Sequence, residues 1–442
     1  MDIDREKFRR FNKSNLKKAI YSVVKCEKQM IKNEFESVLW DRLDFLRARN
    51  NRIPRYFIFE EDYVETEWKE MVKIHYVNTS YDTQNTVMRI HVFQEPKFSE
   101  ECYLGFFTLR KINEIKIMLS YIYPNWRNIR YHSKKVWVMT YKKKVHYMGK
   151  ELTFNTYPLF VQDNITVACA QASMVSMTQY LHNKYDYPKV HISELNGNIL
   201  HQKKKLFPTD GLAKTQIIET FNYYNISIEF QQYEDENDRE YIDHAVESAL
   251  PVLLGLTFED NEGNINRHVV QIIGYVDQKE QAYVIYDDSG FLLKNLLGRN
   301  GFVACVEWGN LKKHVRPKQD FWLYPIHEKV YTLYDGFMSI VRKQIENCES
   351  ARCLLADNRE IKKFINEKIV DNDAVDDLTL KNAIKILSVS LPHYVWYYEV
   401  PYEDKYKLYI ANPTLHHKTA HDIFYNSEPL ISKSRFNLLD FE

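Results

Sequence analysis

Residues 162–181 read QDNITVACAQASMVSMTQYL and place Cys169 at the start of an apolar helix, seven positions after Gln162. Ala170, Met174, Met177 and Leu181 fall on one face of that helix and Ala172, Val175 and Gln179 on another. Such a helix is apolar around much of its girth, so it belongs inside a core rather than on a surface. A cysteine at its amino end meets unpaired backbone N–H groups and the positive end of the helix dipole, both of which stabilise a thiolate. The stretch therefore asks for a histidine to take the thiol proton and for a polar group to hold that histidine.

Downstream the period changes from helix to strand. PVLLGLTF (251–258), a polar loop EDNEGNIN (259–266), HVVQIIGYV (268–276), a turn DQKEQ and AYVIYD (282–287) read as consecutive strands. His268 opens one strand and Asp287 ends the next. With a turn centred on Asp277 and Gln278 the two are directly opposed on one face of an antiparallel hairpin. Thiol chemistry needs this set: an imidazole base, an acid that fixes its tautomer, and an N–H donor for the oxyanion. Gln162 supplies a side-chain amide for the last task, with the Cys169 backbone N–H beside it.

Taken together, Gln162 to Cys169 with its helix, HVVQIIGY (268–275) and VIYDDSG (284–290) resemble papain-like cysteine peptidases, most closely the bacterial branch that includes the double-glycine leader peptidases. The likeness covers about residues 155–310, including DGLAKTQIIETFNYYNISIEF and ALPVLLGLTF. It implies Cys169 as nucleophile, His268 as general base and then acid, Asp287 as orienter and Gln162 as oxyanion donor. Ala170 stands where many relatives have glycine, and Tyr286-Asp287-Asp288 where many have Asn-Asp-Pro, which leaves Asp288 as a second candidate orienter.

The implied fold is α+β: a papain-like core, with a buried helix bearing the cysteine packed on an antiparallel sheet bearing histidine and aspartate, and mixed α+β flanks. Three segments are expected: 1–148, helical at first and then strands; 149–319, the peptidase-like domain; and 320–442, an α+β extension. The opening helices follow from apolar positions Leu16, Ile20, Val23, Val24, Ile31, Phe35, Val38, Leu39, Leu43 and Leu46. RYFIFEE, TVMRIHVF, YLGFFTL, IKIMLSYIY and VWVMTY then read as strands. Further helices are expected after Thr209 or Asp210, over 239–250, and at YDGFMSIVRKQIEN and NREIKKFINEKI; HYVWYYEV and YKLYIAN read as strands.

Composition excludes several classes. Of 442 residues, 60 are Lys or Arg and 60 are Asp or Glu, so no overall field favours nucleic acid or an anionic membrane. The lysine triplets 142–144 and 203–205 read as solvated turns or strand ends, and Glu234, Asp235, Glu236 and Asp238 as a solvated loop. The charged amino terminus and the shortness of ALPVLLGL (249–256) point to a cytoplasmic protein without a membrane span. Six scattered cysteines, at 26, 102, 169, 305, 348 and 353, suit a reducing compartment better than a disulfide framework. Cys348 with Cys353, and His416 and His417 with His421, lack the further ligands of a zinc site. The expected activity is a thiol hydrolase cleaving a peptide or isopeptide bond, with a protein or peptide as partner and no cofactor or metal. Acyl transfer on the same residues, or a non-catalytic binding module, are the alternatives. The sequence leaves the oligomeric state open.

Overall fold

The computed structural model describes residues 7–23, 54–73, 85–111, 115–117, 119–122, 130–131, 134–162, 169–198, 212–235, 238–259, 265–276, 282–298, 301–331, 333–344, 352–367, 377–388, 390–402, 405–414, 424–425 and 430–432. Several sequence expectations lie outside these residues: the opening helices beyond Val23, Cys26, the lysines 203–205, Thr209 and Asp210, Glu236, the turn at 277–281, Cys348 and the histidines at 416, 417 and 421.

The chain is α+β, with three antiparallel sheets among the described residues. The first comprises β1 (Arg9–Arg10), β2 (Tyr56–Tyr63), β3 (Val87–Phe93), β4 (Tyr103–Lys111), β5 (Ile115–Ile117) and β6 (Ser120–Ile122). After β7 (Arg130–Tyr131) and β8 (Lys134–Val138), which join another sheet, it is completed by β9 (Tyr141–Tyr147) and β10 (Lys150–Leu159), in the order β1-β2-β3-β4-β6-β10-β9 with β5 beside β4. Alternation of β-branched and aromatic residues produces these strands, and Phe57, Ile90, Val92, Phe107 and Leu109 form their buried face. The expected strand IKIMLSYIY is two short strands, and VWVMTY is divided between β8 and β9.

The second sheet runs β11 (Ile228–Gln232), β16 (Phe321–Pro325), β12 (Val252–Glu259), β13 (Ile265–Val276), β14 (Ala282–Tyr286) and β15 (Val303–Glu307). Strand β8 pairs with the far end of β13, Gly274 opposite Val138 and Val276 opposite Val136. A Cβ on Gly274 would lie 2.1 Å from the Trp137 carbonyl oxygen, so this close approach requires glycine. The helix Cys169–Tyr185 packs on β10, β9 and β13, and every residue from Ala170 to Leu181 is buried. Burying Met174, Val175, Met177 and Leu181 contributes about 1.5–3 kcal/mol each, which fixes the position of this helix.

The chain forms two compact units, and their limits differ from the expected segments. Residues 1–233 and 253–323 make one unit, so no division falls at 148, and the first two sheets and the cysteine helix are parts of one body. The cause is visible in β8, which lies early in the chain yet extends the β13 sheet. The second unit comprises 234–252 and 324–442. It holds the helix Asp238–Glu247, expected with the peptidase-like segment, and a third sheet of β17 (Arg352–Asp357), β18 (Tyr394–Tyr402), β19 (Lys405–Ala411), β20 (Phe424–Tyr425) and β21 (Leu430–Ser432). Phe337, Val341, Leu355, Trp396 and Tyr398 build its core, and Arg352 binds Glu247 at 2.6 Å within it. Among the described residues no helix is long and apolar enough to cross a membrane.

Candidate active site

Cys169 is the first residue of its helix, as its sequence implies, and is half-buried. Among the described cysteines the other three, Cys102, Cys305 and Cys353, are buried. Polar side chains on the inward face of the helix tie it to its neighbours. Ser173, one turn after Cys169, donates through Oγ to the Val269 carbonyl at 3.4 Å, and Val269 is the residue next to His268. Ser176 accepts from the Phe160 N–H at 3.0 Å, while Tyr286 donates to the Phe160 carbonyl. These contacts set the cysteine helix against the strands that carry His268 and Asp287.

His268 is the fourth residue of β13 rather than its first. Its register with Asp287 also differs from the expected one. Gln271 lies opposite Tyr286 and Ile272 opposite Ile285, and a bulge follows between Ile272 and Gly274. Continuing that register places Val270, not His268, opposite Asp287. Two residues further along, His268 stands on the same face as Asp287 and meets it diagonally, within reach of an imidazole. Strand β14 ends at Tyr286, but the Asp287 N–H still donates to the Phe302 carbonyl at 2.8 Å, so Asp287 is held by β15 as the chain turns.

The imidazole Nε2 lies 2.8 Å from Asp287 Oδ1 and 3.6 Å from Asp288 Oδ1, and the Cys169 side chain is near enough to the same ring to favour its charged form. With Nε2 engaged by a carboxylate, Nδ1 is the nitrogen left for sulfur. The two candidate orienters are thereby separated by distance. All three side chains of His268, Asp287 and Asp288 are buried.

Asp287 is anchored heavily. Oδ1 accepts from the Ser289 N–H at 3.1 Å, the Ser289 hydroxyl at 3.0 Å and the Gly290 N–H at 3.0 Å, besides His268; Oδ2 accepts from the Leu293 N–H at 3.1 Å. The helix Phe291–Leu297, which sequence periodicity did not reveal, supplies the last of these. Gly290 precedes it with φ of +71°, and a Cβ there would lie 2.7 Å from the Gly301 carbonyl oxygen. The available signal was DDSG before FLLKNLL: an aspartate, a serine and a glycine at a helix start form a side-chain-to-backbone turn.

The electrostatics follow from this packing. Burial disfavours a charged ring, but the Asp287 carboxylate, and to a lesser degree Cys169, hold His268 well above the ordinary histidine range. Burial also works against a charged Asp287, and is outweighed by His268 and by the Leu293 and Ser289 donors, which hold its carboxyl below the usual range. Each member of the pair thus favours the charged form of the other.

Gln162 lies half-buried just beyond β10, and among the described residues no hydrogen bond joins its amide to Cys169 or His268. Three of the four site residues read from the sequence are thus in contact, and the fourth is placed at the end of a strand bonded to the cysteine helix through Phe160. His268, Asp287 and Asp288 offer ligand atoms within 4.8 Å of one another. A cation there would have to compete with the His268–Asp287 bond and with four other donors on Asp287. No protein-family model and no curated protein matches this chain.

Proposed function

We infer that this chain is a thiol hydrolase with a papain-like core, cleaving a peptide or isopeptide bond through an acyl-enzyme on Cys169. One observation carries the reading: a single buried imidazole is engaged by the Asp287 carboxylate at 2.8 Å through Nε2 and by the Cys169 side chain. The order Gln162, Cys169, His268, Asp287 and the packing of the cysteine helix on the His-bearing antiparallel sheet support it.

In this reading Cys169 Sγ attacks the carbonyl carbon after its proton has passed to Nδ1 of His268. The oxyanion is received by the Cys169 backbone N–H and the Gln162 amide. As the C–N bond breaks, His268 returns the proton to the leaving amine, leaving a thioester on Cys169. Water then gives a proton to His268 and attacks the thioester, releasing the acid and the thiol. Asp287 holds the ring throughout and stays ionised, as its five donors favour.

The test is incubation of the full chain with a mixed peptide library, with and without an added primary amine, beside Cys169→Ala. Shortened peptides that vanish in Cys169→Ala are the expected products. Amine-capped products without free acid would replace hydrolysis by acyl transfer, and unchanged peptides in both arms would favour a binding module.

A further inference from the structure

Ser289, already a donor to Asp287, also reaches the imidazole itself. Ser289 Oγ is 3.0 Å from Asp287 Oδ1 and 3.4 Å from His268 Nε2, and it accepts from the Phe291 N–H at 3.1 Å. A serine hydroxyl has one proton and two lone pairs. Here the proton goes to a carboxylate that can only accept, and one lone pair is taken by Phe291. The remaining lone pair faces Nε2. The Asp287 and Ser289 oxygens, with Asp288 Oδ1 at 3.6 Å beyond them, are therefore all acceptors toward that nitrogen, so Nε2 carries the ring proton. The neutral ring then has its lone pair on Nδ1, toward Cys169.

We propose that Ser289 is a positioning residue of this site: its hydroxyl, locked by the Phe291 N–H and Asp287, acts as a second acceptor for His268 Nε2 and so fixes both the tautomer and the tilt of the imidazole. Asp287 holds Nε2 along one line, and burial and Cys169 confine the rest of the ring. Ser289 adds an acceptor off that line and so narrows the tilt of the ring further. The same hydroxyl also stabilises the ionised carboxylate, as one of the donors holding Asp287 in its charged form. The half-buried position of Ser289 lets a shorter side chain be substituted without opening the core.

This inference rests on Cys169 and His268 being a working pair, and the experiment separates the two. The full chain, Ser289→Ala, Ser289→Thr and His268→Ala are each reacted with 2,2′-dipyridyl disulfide between pH 4 and pH 8, and the rate at Cys169 is read by peptide mapping. Ser289→Ala is expected to react about threefold to tenfold more slowly near pH 6, with the acid limb of its profile moved up by about half a unit because Asp287 has lost a donor. Ser289→Thr, which keeps the hydroxyl, is expected to restore both features. Circular dichroism of each variant checks that the fold is retained. A wild-type profile in Ser289→Ala, while His268→Ala is slow, would overturn the role of Ser289 alone. A wild-type rate in His268→Ala would overturn the underlying pair, and the proposal with it.

Discussion

Replacing Asp287 perturbs the site at its most connected point, and the structure sets the size of the effect. Asp287→Ala removes the acceptor for five protein donors, of which those on His268, Gly290 and Leu293 are buried. An unpaired buried donor costs about 1–3 kcal/mol, and a water entering the vacated space recovers part of that, so a loss of about 3–5 kcal/mol is expected. Against a typical domain stability of about 5–15 kcal/mol, this variant folds with little margin. Asp287→Asn keeps one oxygen for the Oδ1 donors but turns an amide N–H toward Leu293 and removes the charge beside His268, for about 2–3 kcal/mol. The pH dependence has a definite sign. Because His268 is held above its unfolded value, the pair's stabilisation is complete below about pH 6.5 and is lost as pH rises through the folded value. Because Asp287 is held below its unfolded value, the same stabilisation is lost in acid as pH falls through that lower value. Urea unfolding of wild type and Asp287→Asn should therefore differ more at pH 6 than at strongly alkaline pH. A penalty below about 1 kcal/mol for Asp287→Ala at pH 6, or a pH-independent penalty for Asp287→Asn, would refute the assignment of Asp287 as the charged anchor.

Two further outcomes are expected. Glu65 accepts from the Glu67 and Trp68 N–H groups, and burial and the neighbouring Glu67 carboxylate push it up to about 7. A carboxyl raised in the folded chain loses stability as pH rises from about 4.5 to about 7, by roughly 3 kcal/mol at most, so Glu65→Gln should flatten the fall in melting temperature between pH 5 and pH 8. Parallel curves for the two proteins would contradict it. Gly290→Ala places a Cβ 2.7 Å from the Gly301 carbonyl oxygen in a left-handed turn, which should cost about 2 kcal/mol and slow Cys169 alkylation by loosening the Asp287 anchor. An unchanged melting temperature would show that this turn has room to spare.

The cysteine helix was legible because its small and apolar residues recur on every face, and a helix of that kind has to be buried. The strands carrying His268 and Asp287 were legible from their runs of β-branched and aromatic residues. Their register was not, because the bulge between Ile272 and Gly274 adjoins the pairing of Gly274 with Val138, a contact made by a distant part of the chain. For the same reason the boundary expected at 148 is absent: no local pattern says that β8 crosses to the second sheet. The anchoring of Asp287 escaped because the helix Phe291–Leu297 is short, and DDSG reads equally well as an ordinary turn. The helix Asp238–Glu247 offers an apolar face of Ile242, Ala245 and Val246, and such a face does not say which core it joins.

The most direct measurement is the rate of iodoacetamide alkylation at Cys169 at pH 6, resolved by peptide mapping, in wild type and His268→Ala. Cys169 is half-buried while Cys102, Cys305 and Cys353 are buried. A charge-assisted hydrogen bond is worth about 1.5–3 kcal/mol, which corresponds to roughly tenfold or more in the thiolate–imidazolium population. Wild type should therefore label at Cys169 ahead of the other three, and His268→Ala should lose at least about tenfold in rate there. Equal rates at Cys169 in the two proteins would contradict the account, because they would mean that the imidazole beside the sulfur does not act on it.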